Sequence, residues 1–302
     1  SGLTLSLSGD LSKRSNRYEV ALKNPAINDS DYNGEVEAHS TKIEYRRSQY
    51  DSDVKTKGFS VAAGKEVVRN TYVGARYGLD FIKEVYNYIP NSNVPINKRF
   101  LDQDYTNSSI TPYINYDSTN DFYFPTAGIK AGASVEYAGV GGDSKYIKPG
   151  VNFRYFYSLE DLTELDWILR FKTQAKMLID NGQINQGDSL YLGGPKTLRG
   201  YKSYAFPNNE SGYYQEPYEK MWSNQAEISF PLVPSAKMRW GLFYDYGMIG
   251  QNSFSEIKRS GTGALLEWIS PMGPLQLIFA KPIGDKPGDD TSSFEFSFGT
   301  SF

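Results

Sequence analysis

The sequence contains no cysteine and a single histidine, His39. The first absence excludes a disulfide-stapled scaffold and thiolate metal sites; the second excludes His-rich zinc or copper centres. No basic run occurs, and a formal net charge of −3 leaves no cationic footprint for nucleic acid. No stretch approaches the ~18 consecutive apolar residues of a membrane-spanning helix, and no helical period of useful length can be traced. A charged-then-apolar leader is missing before Ser1-Gly2, which suits a processed or trimmed chain. Missing too are a phosphate-binding glycine loop, a nucleophile beside a base, and a metal-ligand constellation. The sequence therefore calls for no cofactor and no enzymatic activity.

What is abundant is aromatic: 24 Tyr, 17 Phe and 4 Trp among 302 residues, in a chain of polar average hydropathy. Periodicity explains the combination. At the C-terminus Phe294, Phe296, Phe298 and Phe302 fall on one face, while Ser293, Glu295, Ser297 and Gly299 fall on the other. That period of two is the signature of a β-strand. In 237–247, Trp240, Leu242, Tyr244 and Tyr246 oppose Arg239, Gly241, Asp245 and Gly247. In 167–177, Leu169, Phe171, Thr173 and Ala175 oppose Arg170, Lys172, Gln174 and Lys176.

About fourteen segments of this kind are expected, at 3–10, 17–24, 34–46, 57–66, 71–85, 108–117, 126–138, 146–158, 164–178, 222–232, 237–247, 261–270, 273–283 and 292–302. The links near 31–34, 67–71 and 139–145 are short, whereas 86–107 and 179–221 are long. Short turns at one end and long loops at the other are the pattern of an outer-membrane barrel, whose strands need about 9–11 residues each. A soluble two-sheet sandwich alternates as well. Against it stand a polar face rich in Gly and Ser, Tyr and Trp near strand ends as in an interfacial girdle, and a terminal Phe-x-Phe-x-Phe strand that would make an aggregation-prone soluble edge. The expected fold is all-β, an antiparallel transmembrane barrel forming one domain over 1–302.

The long link 179–221 contains Gly193-Gly194-Pro195-Lys196-Thr197-Leu198-Arg199-Gly200-Tyr201. Four further stretches accompany it in order: Tyr116–Asp121 with Phe124–Gly128, Ala226–Leu232, Phe243–Gly247, and Ile269–Leu275 with Phe279–Pro282. Together they resemble the BamA family of outer-membrane insertases and translocases, in which the loop carries Gly-Gly-x-x-x-(Val/Ile)-Arg-Gly-(Phe/Tyr). Leu198 departs from Val or Ile but keeps the apolar character. Before residue 100 only Asn24-Pro25 matches. Barrels of that family have sixteen strands, so the register implies that the first hairpin and the periplasmic POTRA modules are absent here. The chain by itself is then expected to be impaired in activity.

The residues single out a charge site. A guanidinium inside a barrel needs carboxylate partners, and parity puts Glu227 and Asp245 on the polar faces of adjacent strands, within reach of Arg199. The resemblance implies the same docking, with 179–221 folded into the lumen, and a bend of the last strand at Gly299. The row Arg170, Lys172 and Lys176 is expected to solvate the lumen and balance its acids; an anion pore is the alternative. Asp117 and Asp121 read as turn-capping acids, and His39 is polar-facing without a role. The resemblance implies an outer-membrane protein that folds and inserts β-barrel clients through a lateral gate without ATP. Its implied partners are client barrels, accessory assembly lipoproteins, periplasmic chaperones and the lipid bilayer. A secretion translocase, a TamA-type relative and a passive porin-like channel are the other readings.

Overall fold

A computed structural model describes residues 2–11, 14–46, 50–88, 102–121, 124–206, 218–270 and 273–298. Fifteen strands follow one another: β1 (Thr4–Leu11), β2 (Ser15–Asn24), β3 (Tyr32–Arg46), β4 (Tyr50–Val68), β5 (Thr71–Tyr88), β6 (Gln103–Asp117), β7 (Gly128–Ala138), β8 (Lys145–Ser158), β9 (Ile168–Met177), β10 (Ile179–Gln183), β11 (Lys220–Val233), β12 (Met238–Gly250), β13 (Ile257–Ser270), β14 (Gly273–Ile283) and β15 (Phe294–Phe298). Each pairs antiparallel with its sequence neighbour, except that β11 joins β9 directly and β10 adds to β8 alone. The wall therefore has fourteen strands, as the alternation implied. β1 and β15 lie side by side with no ladder between them among the described residues. The barrel is nearly closed.

Parity sorts the side chains as the sequence suggested. Trp240, Leu242 and Tyr244 are exposed outward on β12, and Arg239, Phe243 and Asp245 are buried inward. On β15 Phe294 points out while Glu295 and Ser297 are buried inside. A ring of exposed Leu, Val, Phe, Tyr and Trp on every wall strand would be untenable in water, and is what a lipid-facing surface requires.

Several boundaries differ from expectation. β4 runs from Tyr50 rather than 57, because Asp51, Asp53, Lys55 and Lys57 place charge on the outward face, where no apolar alternation marks the strand. β3 and β5 are single strands, so the spans 34–46 and 71–85 each hold one. The last strand is described over Phe294–Phe298; Gly299 and Phe302 lie outside the described residues. The link 139–144 is short but sits at the same end as 89–102 and 178–219, because β5, β7 and β9 all run in the same direction. The opposite end carries tight turns such as 69–70, where Asn70 takes φ 65° and its N–H donates to Glu66 Oε1 at 2.7 Å.

Leu242 faces outward at the level of Ala264 and, one strand further, Phe279. Leu242→Arg should lower unfolding stability in bilayers by about 2–4 kcal/mol, the cost of a guanidinium on the lipid face. Denaturant titration of tryptophan fluorescence would read it, and a change under ~0.5 kcal/mol would mean this face is not in lipid.

Candidate functional site: the arginine loop in the lumen

Residues 190–206 form a hairpin-like tongue inside the barrel. Leu192 and Phe206 exchange backbone hydrogen bonds at 3.0 and 2.9 Å. The tip closes tightly, since the N–H groups of Thr197 and Leu198 both donate to Gly194 O, at 3.1 and 3.0 Å. Gly193, Gly194 and Gly200 have φ of 125°, 91° and 96°, values that other residues seldom adopt. Thr197 Oγ1 completes the turn by accepting from Gly193 N–H at 2.9 Å.

The tongue is anchored on both sides of the lumen. Leu192, Leu198, Tyr201, Ala205 and Phe206 pack with Ala138, Tyr146, Met221, Ile249 and Ile257 of β7, β8 and β11–β13. Across the barrel, Tyr191 stacks on Tyr45 of β3 at 4.8 Å and Tyr204 meets the same ring edge-on at 5.7 Å. Gly261 of β13 lies so close to the Arg199 carbonyl that any Cβ there would overlap it.

Arg199 is buried, with both predicted acids on it. Its backbone N–H and Nε donate to Asp245 Oδ2 at 2.9 Å each, and Nη2 donates to Oδ1 at 2.7 Å. Nη1 donates to Glu227 Oε2 at 2.8 Å. The guanidinium also covers the Phe243 ring, 3.8 Å from its centre. The other Glu227 oxygen accepts from Arg170 at 3.0 Å, and Arg170 reaches Glu267 at 2.9 Å. Gln276 and Gln225 complete the shell on Glu267 and Asp245 at 2.9 and 3.1 Å. The arrangement orders three buried carboxylates around two guanidiniums.

The lumenal basic row needs correction. Arg170 and Lys172 are buried rather than solvating the lumen: the first is ion-paired, and Lys172 Nζ donates to the Lys196 carbonyl at 3.1 Å. Lys176 alone of the three is exposed. Asp117 and Asp121 accept from Thr119 N–H at 3.0 Å and Phe124 N–H at 2.7 Å, as turn-capping acids do. His39 stands between Glu37 and Asp80, at 3.4 and 3.1 Å, in a wall ion cluster.

The residues that sequence reasoning missed are Phe243, Glu267 and Phe124. The first two carried a signal, because both share the inward parity of Asp245 on β12 and of Leu265 on β13. Phe124 carried no periodic signal, only its place in the Phe124–Gly128 stretch of the resemblance. It comes from the β6–β7 turn and lies under Arg170, 4.6 Å from ring centre to guanidinium carbon. Glu295 of β15 also faces inward, and its carboxylate has no hydrogen-bond partner among the described residues.

The model of the Omp85 superfamily domain matches residues 1–302. The chain belongs to the Omp85 superfamily. It is 28% identical to outer membrane protein assembly factor BamA of Nitratidesulfovibrio vulgaris over 319 residues, which cover 100% of this chain and 38% of that protein. BamA of Neisseria meningitidis serogroup B is 24% identical over 269 residues, covering 72% of this chain and 32% of that protein. The chain thus spans well under half the length of these curated relatives. Among solved structures, BamA from Haemophilus ducreyi lacking POTRA domains 1–3 shares the fold with a TM-score of 0.71 at 20% identity, over 99% of this chain and 64% of that one. CdiB from Acinetobacter baumannii gives 0.60 at 13% identity, over 99% and 53%. This Omp85 chain is accordingly an outer-membrane β-barrel.

Arg199→Ala would leave Glu227 on Arg170 alone and Asp245 buried with Gln225 but no guanidinium. The expected cost is about 3–5 kcal/mol, seen as a lower unfolding midpoint in detergent or bilayer. Arg199→Lys, which keeps charge but not the forked geometry, should recover only part of it. Wild-type stability of Arg199→Ala would contradict the docking.

Proposed function

We propose that this barrel belongs to a BamA-type assembly factor that folds and inserts other outer-membrane β-barrel proteins. The observation that supports the reading is the lumenal tongue, whose Arg199 docks on Asp245 and Glu227 in the arrangement that the resemblance implies. A closed barrel offers no edge, whereas an openable seam exposes backbone N–H and C=O groups on which an incoming strand can pair. Such pairing satisfies the client backbone before it enters lipid, where an unmet polar group is costly. Client folding supplies the driving force, and the process needs no nucleotide. Phe294, Phe296 and Phe298 would form the gate strand, with Gly299 and Phe302 continuing it. The tongue held by Arg199 would close the lumen, which argues against a passive channel. Client barrels, accessory lipoproteins and periplasmic chaperones are the partners this role entails.

The test uses the protein that contains this chain, reconstituted in liposomes with an unfolded client barrel. The parent protein should accelerate client folding over protein-free liposomes, and Arg199→Ala should reduce that acceleration severalfold, with Arg199→Lys between the two. Client folding no faster with the parent than without it would overturn the proposal.

A further inference from the structure

The outward face of β3, β4 and β5 changes from apolar to cationic on passing toward the loop end. On β4 the exposed Val61 and Phe59 are followed by Lys57 and Lys55. On β5 the outward series runs Tyr77, Leu79, Phe81, Lys83, and on β3 it runs Val36, Ala38, Ser40, Lys42. The ladders bring these cations together. Lys42 pairs with Lys55 across β3 and β4, and Lys55 pairs with Lys83 across β4 and β5, so three lysines share one rung. Lys57 stands one outward step nearer the apolar band, between Ser40 and Phe81.

Like charges directly opposite one another destabilise a sheet face. Carboxylates relieve the two flanks. Lys42 Nζ lies 2.6 Å from Glu44 Oε1 and 3.7 Å from Asp53 Oδ2, and Lys83 Nζ lies 3.8 Å from Asp104 Oδ1. Glu44 and Asp53 face each other one step further from the apolar band, with Asp51 beyond them. The centre is different. Lys55 and Lys57 are exposed, and neither has an ion-pair partner among the described residues. On the outward face Lys57 neighbours Phe59 along its strand and Phe81 across it. A lysine so placed lays its stem on apolar surface and lifts its ammonium to the headgroup level. In outer-membrane barrels the longer loops are extracellular, so this level belongs to the outer leaflet.

We propose that Lys55 and Lys57, flanked by Lys42 and Lys83, form a binding site for the phosphate of an anionic lipid headgroup in the outer leaflet. The phosphate supplies the negative charge that no side chain brings to the centre of the cluster, while the acyl chains lie on Phe59, Val61 and Phe81. Lysine meets phosphate as a point charge without a fixed fork, which suits a headgroup held in a fluid layer. The site stands on an uninterrupted part of the wall, where continuous ladders join β3 to β6. It is independent of the assembly-factor reading.

Native mass spectrometry of the detergent-solubilised protein that contains this chain, titrated with diphosphoryl lipid A, tests the site. Phosphatidylcholine is the zwitterionic comparison, and the parent should bind lipid A in clear preference to it. Lys55→Ser and Lys57→Ser should each weaken lipid A binding about fivefold, and the double variant about 25-fold, from the worth of a lysine near an anionic surface. Lys55→Arg combined with Lys57→Arg should retain the parental affinity. Lys258 is also exposed near the loop end, on β13, but faces Met248 and not another lysine; Lys258→Ser should leave lipid A binding unchanged. Equal affinity for phosphatidylcholine, parental binding by the double serine variant, or an equal loss in Lys258→Ser would overturn the site. Inorganic phosphate binding as tightly as lipid A would overturn the lipid assignment, because the cluster would then be selecting a soluble anion.

Discussion

The interior depends on a chain of buried charge: Asp245 and Glu227 on Arg199, Glu227 and Glu267 on Arg170. Each carboxylate in this chain sits on a different wall strand, and Arg199 alone belongs to the tongue. Charges this buried are tolerable only when every one has an oriented partner. Building acids into β11 and β12 therefore obliges the loop to enter the barrel with its arginine. Once it does, backbone geometry follows. The tip must turn through left-handed glycines, and the wall strand beneath it must carry Gly261, because a side chain there would occupy the place of the Arg199 carbonyl.

The same docking compensates for what the wall lacks. Fourteen strands are joined by ladders, and among the described residues the two ends of that path share none. The tongue packs on β7, β8 and β11–β13 through Leu192, Leu198 and Phe206, on β3 through Tyr191 and Tyr204, and on the β14–β15 link through Gly200–Lys202. It is a crossbar within an incompletely bonded cylinder.

Legibility in the sequence followed the environment of each residue. Where one face meets lipid and the other meets the lumen, as on β9, β12 and β15, alternation revealed both the strand and its inward acids. Glu227 and Asp245 could be named for that reason. The upper half of β4 projects beyond the apolar band with charge on its outward face, so its pattern faded and the strand was set too short. Phe124 stood in a stretch shared with the family, but its direction was unreadable because a turn residue has no period to betray that it folds inward beneath Arg170. The pair between Arg14 and Asp290 spans 276 positions and depends on the barrel coming full circle, which no local pattern encodes. Glycine positions in the loop motif were readable only through family resemblance; the φ values explain why those positions are glycine.

The central claim is that Arg199 fastens the tongue to the wall as firmly as a wall strand is fastened to its neighbour. Hydrogen–deuterium exchange of the amides of 190–206, compared between the parent and Arg199→Ala in nanodiscs, tests it directly. The account predicts protection in the parent comparable to that of β12, with selective loss over 190–206 in the variant while β12 stays protected. Rapid exchange of 190–206 in the parent, or protection indifferent to the loss of Arg199, would contradict it.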